Sequence, residues 1–323
     1  MYSRRLLQAL AGLAGYTRES VLVSSPPPVL MADDEASRLI AAKIRDGDPW
    51  FCGRLGTPEC NALLNTMEIE WCESPSLPRR LAGTALGLRR VWDENVIAAL
   101  HNNVGVFPKT VLSAEAFCAQ YAEGIGQFDA VGYWGIVPGE SYFLRKLSPR
   151  VSAFSAGVLE PYLNPEQPWS SALEGKKVLV LSPFAESIER QYSRRERLFC
   201  DSRVLPEFEL RTVRAVQSLA GTPTDYRDWR EALAATKKQI DQADYDVLLV
   251  GAGAYSVPAC VHAKRSGKVA IYIGGALQIL FGIRGKRWDG MPQISRFYND
   301  AWVRPGENEK IPGGDKVEGG CYW

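Results

Sequence analysis

Three stretches in the second half of the chain limit what it can fold into: "KKVLVLSPF" (176–184), "YDVLLVGAGA" (245–254) and "KVAIYIGG" (268–275). Each is a short, unbroken apolar run, rich in Val, Leu and Ile, that stops at small residues. A half-exposed strand alternates apolar and polar positions, whereas a continuous run belongs to a strand covered on both faces. Helical patterns follow each run: "AESIERQYSRRERLF" (185–199), a segment ending near Gly267, and "ALQILFG" (276–282). Buried strands alternating with helices predict a mostly parallel sheet in an α/β, Rossmann-like fold with helices on both faces.

The first half carries a weaker version of the same grammar. "SSPPPVL" (24–30) reads as a rigid connector, and Asp33 or Asp34 opens a helix through Ile44 that stops near Gly47. A strand follows at Trp50. From Asn61 to about Gly124 the pattern is mostly helical, with loops expected at "ESPSLPRR" (73–80) and "HNNVGVFPKT" (101–110). "FDAVGYWG" (128–135) reads as a short strand. Residues 1–30 are expected to form an N-terminal helix and Pro-rich connector, 31–304 the α/β domain, and 305–323 a tail folding back on it. Leu6, Leu7, Leu10 and Leu13 lie at helical spacing behind Arg4 and Arg5, a pattern of domain packing first and of membrane-surface contact second. Gln8 interrupts the apolar part and no cleavage site follows, so a signal peptide is not expected.

Four strand ends share one design. Gly53, Gly56, Thr57 and Pro58 follow Phe51; Ser182 and Pro183 follow Leu181; Gly251, Gly253, Ser256 and Pro258 follow Val250; Gly274 and Gly275 follow Ile273. In open α/β sheets ligands bind at the carboxyl ends of the strands. Helix N-termini there offer free N–H groups and a positive dipole end, which suit a phosphate or diphosphate. At the first of these turns, "GRLGTPE" (53–59), Thr57 reads as a cap, Pro58 as the first helical residue and Glu59 as the second. Helix dipole and Arg54 together should favour the ionised form of Glu59.

Several chemistries are disfavoured. "GAGAYS" (251–256) lacks the full dinucleotide fingerprint, and Gly274-Gly275 stand where a ribose-gripping acid belongs. "GIRGKRW" (282–288) is not a P-loop. No Gly-x-Ser-x-Gly elbow occurs, and His101 and His262 are the only histidines. Seven cysteines without a CxxC pair suggest reduced thiols in a cytoplasmic protein, and zinc spacing is missing. With 38 basic and 37 acidic residues, the net charge of +1 leaves no broad nucleic-acid footprint. What remains is group transfer from a phosphate-activated donor, which needs a base for the attacking hydroxyl and positive charge for the leaving diphosphate. Glu59 is the candidate base. Arg54, Arg194, Lys286 and Arg287 are candidate counter-charges, whereas Arg195 and Arg197 read as a solvated helix face. Gly56, Ser182, Phe184, Gly251, Gly253, Tyr255, Gly274 and Gly275 are candidate donor-binding positions. Trp134, Tyr322 and Trp323 are candidates for stacking on sugar, with a core role the first reading for Trp134.

Arg54-Leu-Gly56-Thr-Pro-Glu59 resembles the Arg-x-Gly-x-x-Glu motif of bacterial glycosyltransferases with the type D fold. "SPFAESIERQYSRRERLF" (182–199), "GGALQILFGIRGKRW" (274–288) and the terminal "EGGCYW" (318–323) are similar to stretches of the same group. The resemblance implies transfer of a sugar from a nucleotide sugar, a UDP-sugar being the first expectation, to a glycan, lipid-linked or protein-linked hydroxyl. Surface-polysaccharide or glycoconjugate assembly at the inner face of the membrane is the implied setting. The better-known type D enzymes carry Asp-x-Glu here, the Asp helping to hold a divalent metal. Thr57 takes that place in this chain, which argues against Mn²⁺ or Mg²⁺ held through that pair. A pyruvyl or phosphoryl transferase and a non-catalytic nucleotide-sugar-binding scaffold are the alternatives.

Overall fold

The computed structural model describes residues 25–86 and 91–323. The expected N-terminal helix lies outside the described residues. Eight strands form one all-parallel sheet: β1 (Leu30–Met31), β2 (Trp50–Arg54), β3 (Ala130–Tyr133), β4 (Ser152–Ser155), β5 (Lys177–Ser182), β6 (Glu209–Arg214), β7 (Val247–Val250) and β8 (Val269–Tyr272). Their spatial order is β1-β4-β3-β2-β8-β7-β5-β6. The first four strands build one half of the sheet and the last four the other. The halves meet where β2 pairs with β8, Phe51 beside Ala270 and Cys52 beside Ile271. The α/β, Rossmann-like reading of the sequence is therefore correct.

The period of two along each strand divides the core between two faces. Phe51, Val131, Leu179, Leu181, Leu248 and Val250 pack on one side with the helices Val111–Ile125, Trp229–Gln242 and Ser256–Arg265. Cys52, Val178, Val180, Leu249, Val269 and Ile271 pack on the other with Ile40, Ile44, Trp169 and Ile188. Gly53 lies where β2, β8 and the Phe128 ring converge: a Cβ there would sit 2.8 Å from that of Tyr272.

The helix Asp33–Asp46 ends at Gly47 in a left-handed conformation (φ 75°), as the sequence suggests. Four readings need correction. Gly56 is the N-cap of the helix Thr57–Glu73, so Thr57 is its first residue, Pro58 its second and Glu59 its third. "ESPSLPRR" is not all loop, because the helix Leu77–Leu86 starts inside it. "HNNVGVFPKT" begins as a wide helical turn, Leu100–Val104. The charged helix after β5 stops at Tyr192, and a 3₁₀ turn, Arg195–Arg197, follows. Strands β1, β4 and β6 escape a periodicity reading. Two are the sheet's edges, and β6 carries Glu209, Arg211 and Arg214 on a partly solvated strand.

Leu249, fully buried on β7 in the centre of the sheet, has no room to be replaced by solvent. Leu249→Ala is expected to cost about 2–5 kcal/mol of unfolding free energy, read from the urea midpoint.

Candidate functional site

The four strand ends that share the small-residue design belong to β2, β8, β7 and β5, four contiguous strands of the sheet. Their turns converge on one cleft of about 290 Å³ at the junction of the two halves. Arg54, Gly56, Glu59, Ser182, Phe184, Gly251, Gly253, Tyr255, Gly274, Gly275 and Arg287 all line it. Arg194 and Lys286 do not. Arg194 is exposed beyond the end of its helix, and the exposed Lys286 donates to the carbonyl of Gly319 at 3.0 Å. Arg197 pairs with Asp300 at 3.1 Å on a solvated face as read from the sequence, whereas Arg195, paired with Glu207 at 3.0 Å, is largely covered and lies over the Tyr192 ring.

Arg54, the last residue of β2, turns its guanidinium across the seam onto β8. A Cβ on Gly274 would meet Arg54 Nη2 at 2.3 Å and Nε at 2.6 Å, and Gly274 has φ 77°. Only glycine fits both the space and the backbone there. The guanidinium stacks over the rings of Tyr272 and Trp134, each centroid 5.5 Å from Cζ. It makes no hydrogen bond or ion pair with any described residue. Burial opposes its charge, but the phenols of Tyr272 and Tyr322 and the Glu59 carboxyl outweigh this and hold it above the ordinary guanidinium value. Trp134 is not core: it is 37% exposed at the rim. Glu140, buried at the start of the helix Glu140–Leu147, fixes the Trp134 loop by accepting the N–H groups of Trp134 (3.1 Å) and Gly135 (2.9 Å).

Glu59 is 7% exposed. Its carboxylate folds back over Gly56, where an added Cβ would lie 2.1 Å from Oε2, and accepts its own amide N–H. The Gly56 N–H donates to the Tyr121 hydroxyl at 3.2 Å. Burial raises the Glu59 pKa above the ordinary 4.5. Its own N–H bond and Arg54 pull the other way without winning, and Glu318 adds to the rise. The expectation that dipole and arginine would keep Glu59 strongly ionised is corrected by its depth: desolvation of a carboxylate this buried dominates.

The glycine turns bring backbone close to backbone. A Cβ on Gly251 would sit 2.5 Å from the Gly274 carbonyl, and one on Gly253 (φ 53°) equally close to the Val104 carbonyl. Ser182 accepts the Phe184 N–H at 3.2 Å through its hydroxyl oxygen, which ties it to the turn. The Tyr255 hydroxyl lies 3.2 Å from that of Ser218, and burial pushes its pKa to about 12. Ser182 and Tyr255 therefore shape the wall.

The tail supplies the far wall. Glu318 (φ 48°), Gly319 and Gly320 are consecutive residues in the left-handed region. This hairpin-like reversal brings Glu318, Tyr322 and Trp323 into the cleft lining. Glu318 pairs with Arg287, whose guanidinium lies 5.0 Å from the Tyr322 ring centroid. Gln278 donates to the Tyr322 carbonyl at 3.2 Å, and Trp323 Nε1 donates to the Glu309 carbonyl at 3.1 Å. A Cβ on Gly275 would meet Tyr322 at 2.7 Å. Glu318, Asn103, Gln217 and Gln278 are lining residues that the sequence did not single out. Asn103 Oδ1, Gln217 Nε2 and Gln278 Oε1 are buried without a partner. Nothing in a one-dimensional pattern marks them, since they come from three distant segments.

Among the described residues no three His, Cys, Asp or Glu side chains gather as a metal site. The donor set at the motif does not fit a divalent cation: Glu59 lies beside Arg54, and Glu318 is ion-paired to Arg287. All seven cysteines are free, six of them buried. Among the described residues no helix is long and apolar enough to cross a membrane. Comparison of the chain with protein-family models, curated proteins and solved structures finds no match.

A raised carboxyl pKa means that the folded state holds its proton more tightly than the unfolded chain. Stability from this source is present below the unfolded value and falls as pH rises through the folded one. Glu59→Gln should therefore raise the melting temperature at pH 8 more than at pH 4, by calorimetry across that range. Gly274→Ala should cost about 1–3 kcal/mol, since the new methyl strains the backbone and displaces Arg54.

Proposed function

We propose that the chain is a glycosyltransferase that moves a sugar from a nucleotide sugar to a hydroxyl acceptor. The observation that carries this reading is Arg54: a guanidinium with no partner among the described residues, packed on Gly274 beside the buried Glu59. A lone cation among close glycine backbones at the strand ends suits a diphosphate. An adjacent carboxylate with a raised pKa suits a base, because it binds a proton more strongly than an exposed one. The resemblance of residues 54–59 to the type D motif supports the same reading.

In this reading the donor diphosphate lies between Arg54, the Gly251 and Gly274 turns and Arg287, all of which line the cleft. The unpartnered amides of Asn103 and Gln217 serve the nucleoside. The acceptor hydroxyl gives its proton to Glu59 as its oxygen attacks the anomeric carbon. The bond from that carbon to the β-phosphate oxygen breaks, and the nucleoside diphosphate leaves with its added charge opposite Arg54. One base and a direct attack give inversion. The proposed reaction uses arginine charge in place of a metal, following from Thr57 and from the ion pair that ties up Glu318 with Arg287.

Turnover of a panel of nucleotide sugars, followed by release of the nucleoside diphosphate, tests the proposal. Glu59→Gln is expected to lower kcat by about 10²–10⁴-fold while the donor still shifts the melting temperature. The wild-type rate should rise with pH through a limb above the ordinary carboxylate range, the direction set by the raised Glu59 pKa. A chelator should leave the rate unchanged. Unaltered turnover in Glu59→Gln would remove the base, and donor binding without turnover in the wild type would favour a binding scaffold.

A further inference from the structure

Arg287 poses a difficulty for any anion that enters the cleft, because it already holds one. Its guanidinium lies 5.0 Å from the Tyr322 ring centroid and 5.4 Å from that of Trp288, and it donates to the Glu318 carboxylate. The Arg287 N–H donates to the Cys321 carbonyl at 3.0 Å, which ties the arginine to the tail. Both members of the ion pair line the cleft. Glu318 is also near enough to Glu59 to oppose its ionisation. A diphosphate on Arg287 would therefore find a carboxylate in its place, and like charges close together repel.

The backbone holds Glu318 at this point under strain. Among the described residues it is one of two non-glycine residues with positive φ, at 48°, and Gly319 and Gly320 follow in the same region. An L-residue there is strained, and such strain is kept where the place of a side chain matters. The surrounding backbone is pinned. Val317 is fully buried, and its carbonyl accepts the Gly320 N–H at 3.0 Å. Lys286 Nζ donates to the Gly319 carbonyl at 3.0 Å, and Gln278 to that of Tyr322 at 3.2 Å. Only the Glu318 side chain, 43% exposed, has solvent to turn into while the tail stays in place. A half-exposed ion pair is weak, whereas a phosphate makes strong charge-assisted bonds to a guanidinium.

We propose, on the reading of the cleft as a diphosphate site, that Glu318 is an internal anion that holds Arg287 in the free protein and gives it up to the incoming diphosphate. Glu318 then sets how much negative charge a ligand needs in order to bind. A diphosphate lying between Arg54 and Arg287 outcompetes the tethered carboxylate. A neutral nucleoside does not.

Isothermal titration of inorganic pyrophosphate, which has the charge but neither nucleoside nor sugar, into the full chain and into Glu318→Gln tests this. The glutamine keeps the length of the side chain and loses its charge. It should bind pyrophosphate about three- to tenfold more tightly than the wild type, since one weak ion pair and one like charge are removed. In an Arg287→Met background the same substitution should lose most of its effect. Glu318→Gly, which also relieves the backbone, should melt no lower than the wild type and show the same gain. Equal or weaker binding by Glu318→Gln overturns the proposal and makes Glu318 a support for Arg287. An undiminished gain in the Arg287→Met background, or no binding by either wild type or Glu318→Gln, overturns it too. Tighter pyrophosphate binding by Glu318→Gln, with no binding of UDP or any nucleotide sugar, upholds the exchange and removes the nucleotide-sugar reading.

Discussion

The contact on which the site depends is the packing of the Arg54 guanidinium against the backbone of Gly274. It crosses the seam between β2 and β8, the junction of strands from the two ends of the domain. A side chain at position 274 would fill the space that the guanidinium occupies, and the φ of 77° would strain it as well. The aromatic rings of Tyr272 and Trp134 then cover the cation without neutralising it. Cation–π contact is a weaker claim on a guanidinium than a carboxylate would be, so the donors of Arg54 stay available. Glu140 contributes at one remove by fixing the loop that carries Trp134.

Glu59 shows which of two opposing effects wins. A helix N-terminus and a nearby arginine favour a charged carboxylate by fractions of a kcal/mol to a few kcal/mol, whereas burial acts on the whole solvation of the charge. Here burial prevails, and the group is pushed toward the neutral form. That balance reverses the expectation from position alone. Read as the second residue of a helix beside an arginine, Glu59 was expected to favour the ionised form; third in the helix and buried, it is held above the ordinary value.

Much of the fold was legible because its central strands are buried on both faces. Continuous runs such as Val178–Leu181 and Val247–Val250 have no other reading at that length, and their glycine and serine stops mark the strand ends. Ten of the candidate residues, from Arg54 to Gly275, fall on one cleft because those stops sit on neighbouring strands, an adjacency that the sheet order supplies and the sequence could only suggest. Edge strands β1 and β6 were invisible, since a partly solvated edge carries no continuous apolar signal. Arg194 and Lys286 were placed wrongly for a related reason. A cation near a small-residue turn looks the same in sequence whether it faces the cleft or solvent. Glu318, Asn103 and Gln217 come to the cleft through the tail, the wide helical turn Leu100–Val104 and a distant loop, and nothing local marks such a convergence.

Isothermal titration of a nucleoside diphosphate, with UDP first, into the wild type and into Arg54→Met tests the central claim most directly. If Arg54 is the anchor of the diphosphate, the wild type binds and the variant loses about tenfold to a hundredfold in affinity, the range for one charge-assisted contact. Uridine, which lacks the phosphates, should bind both proteins alike. Equal affinity of both proteins for UDP, with the variant folded, would contradict the account.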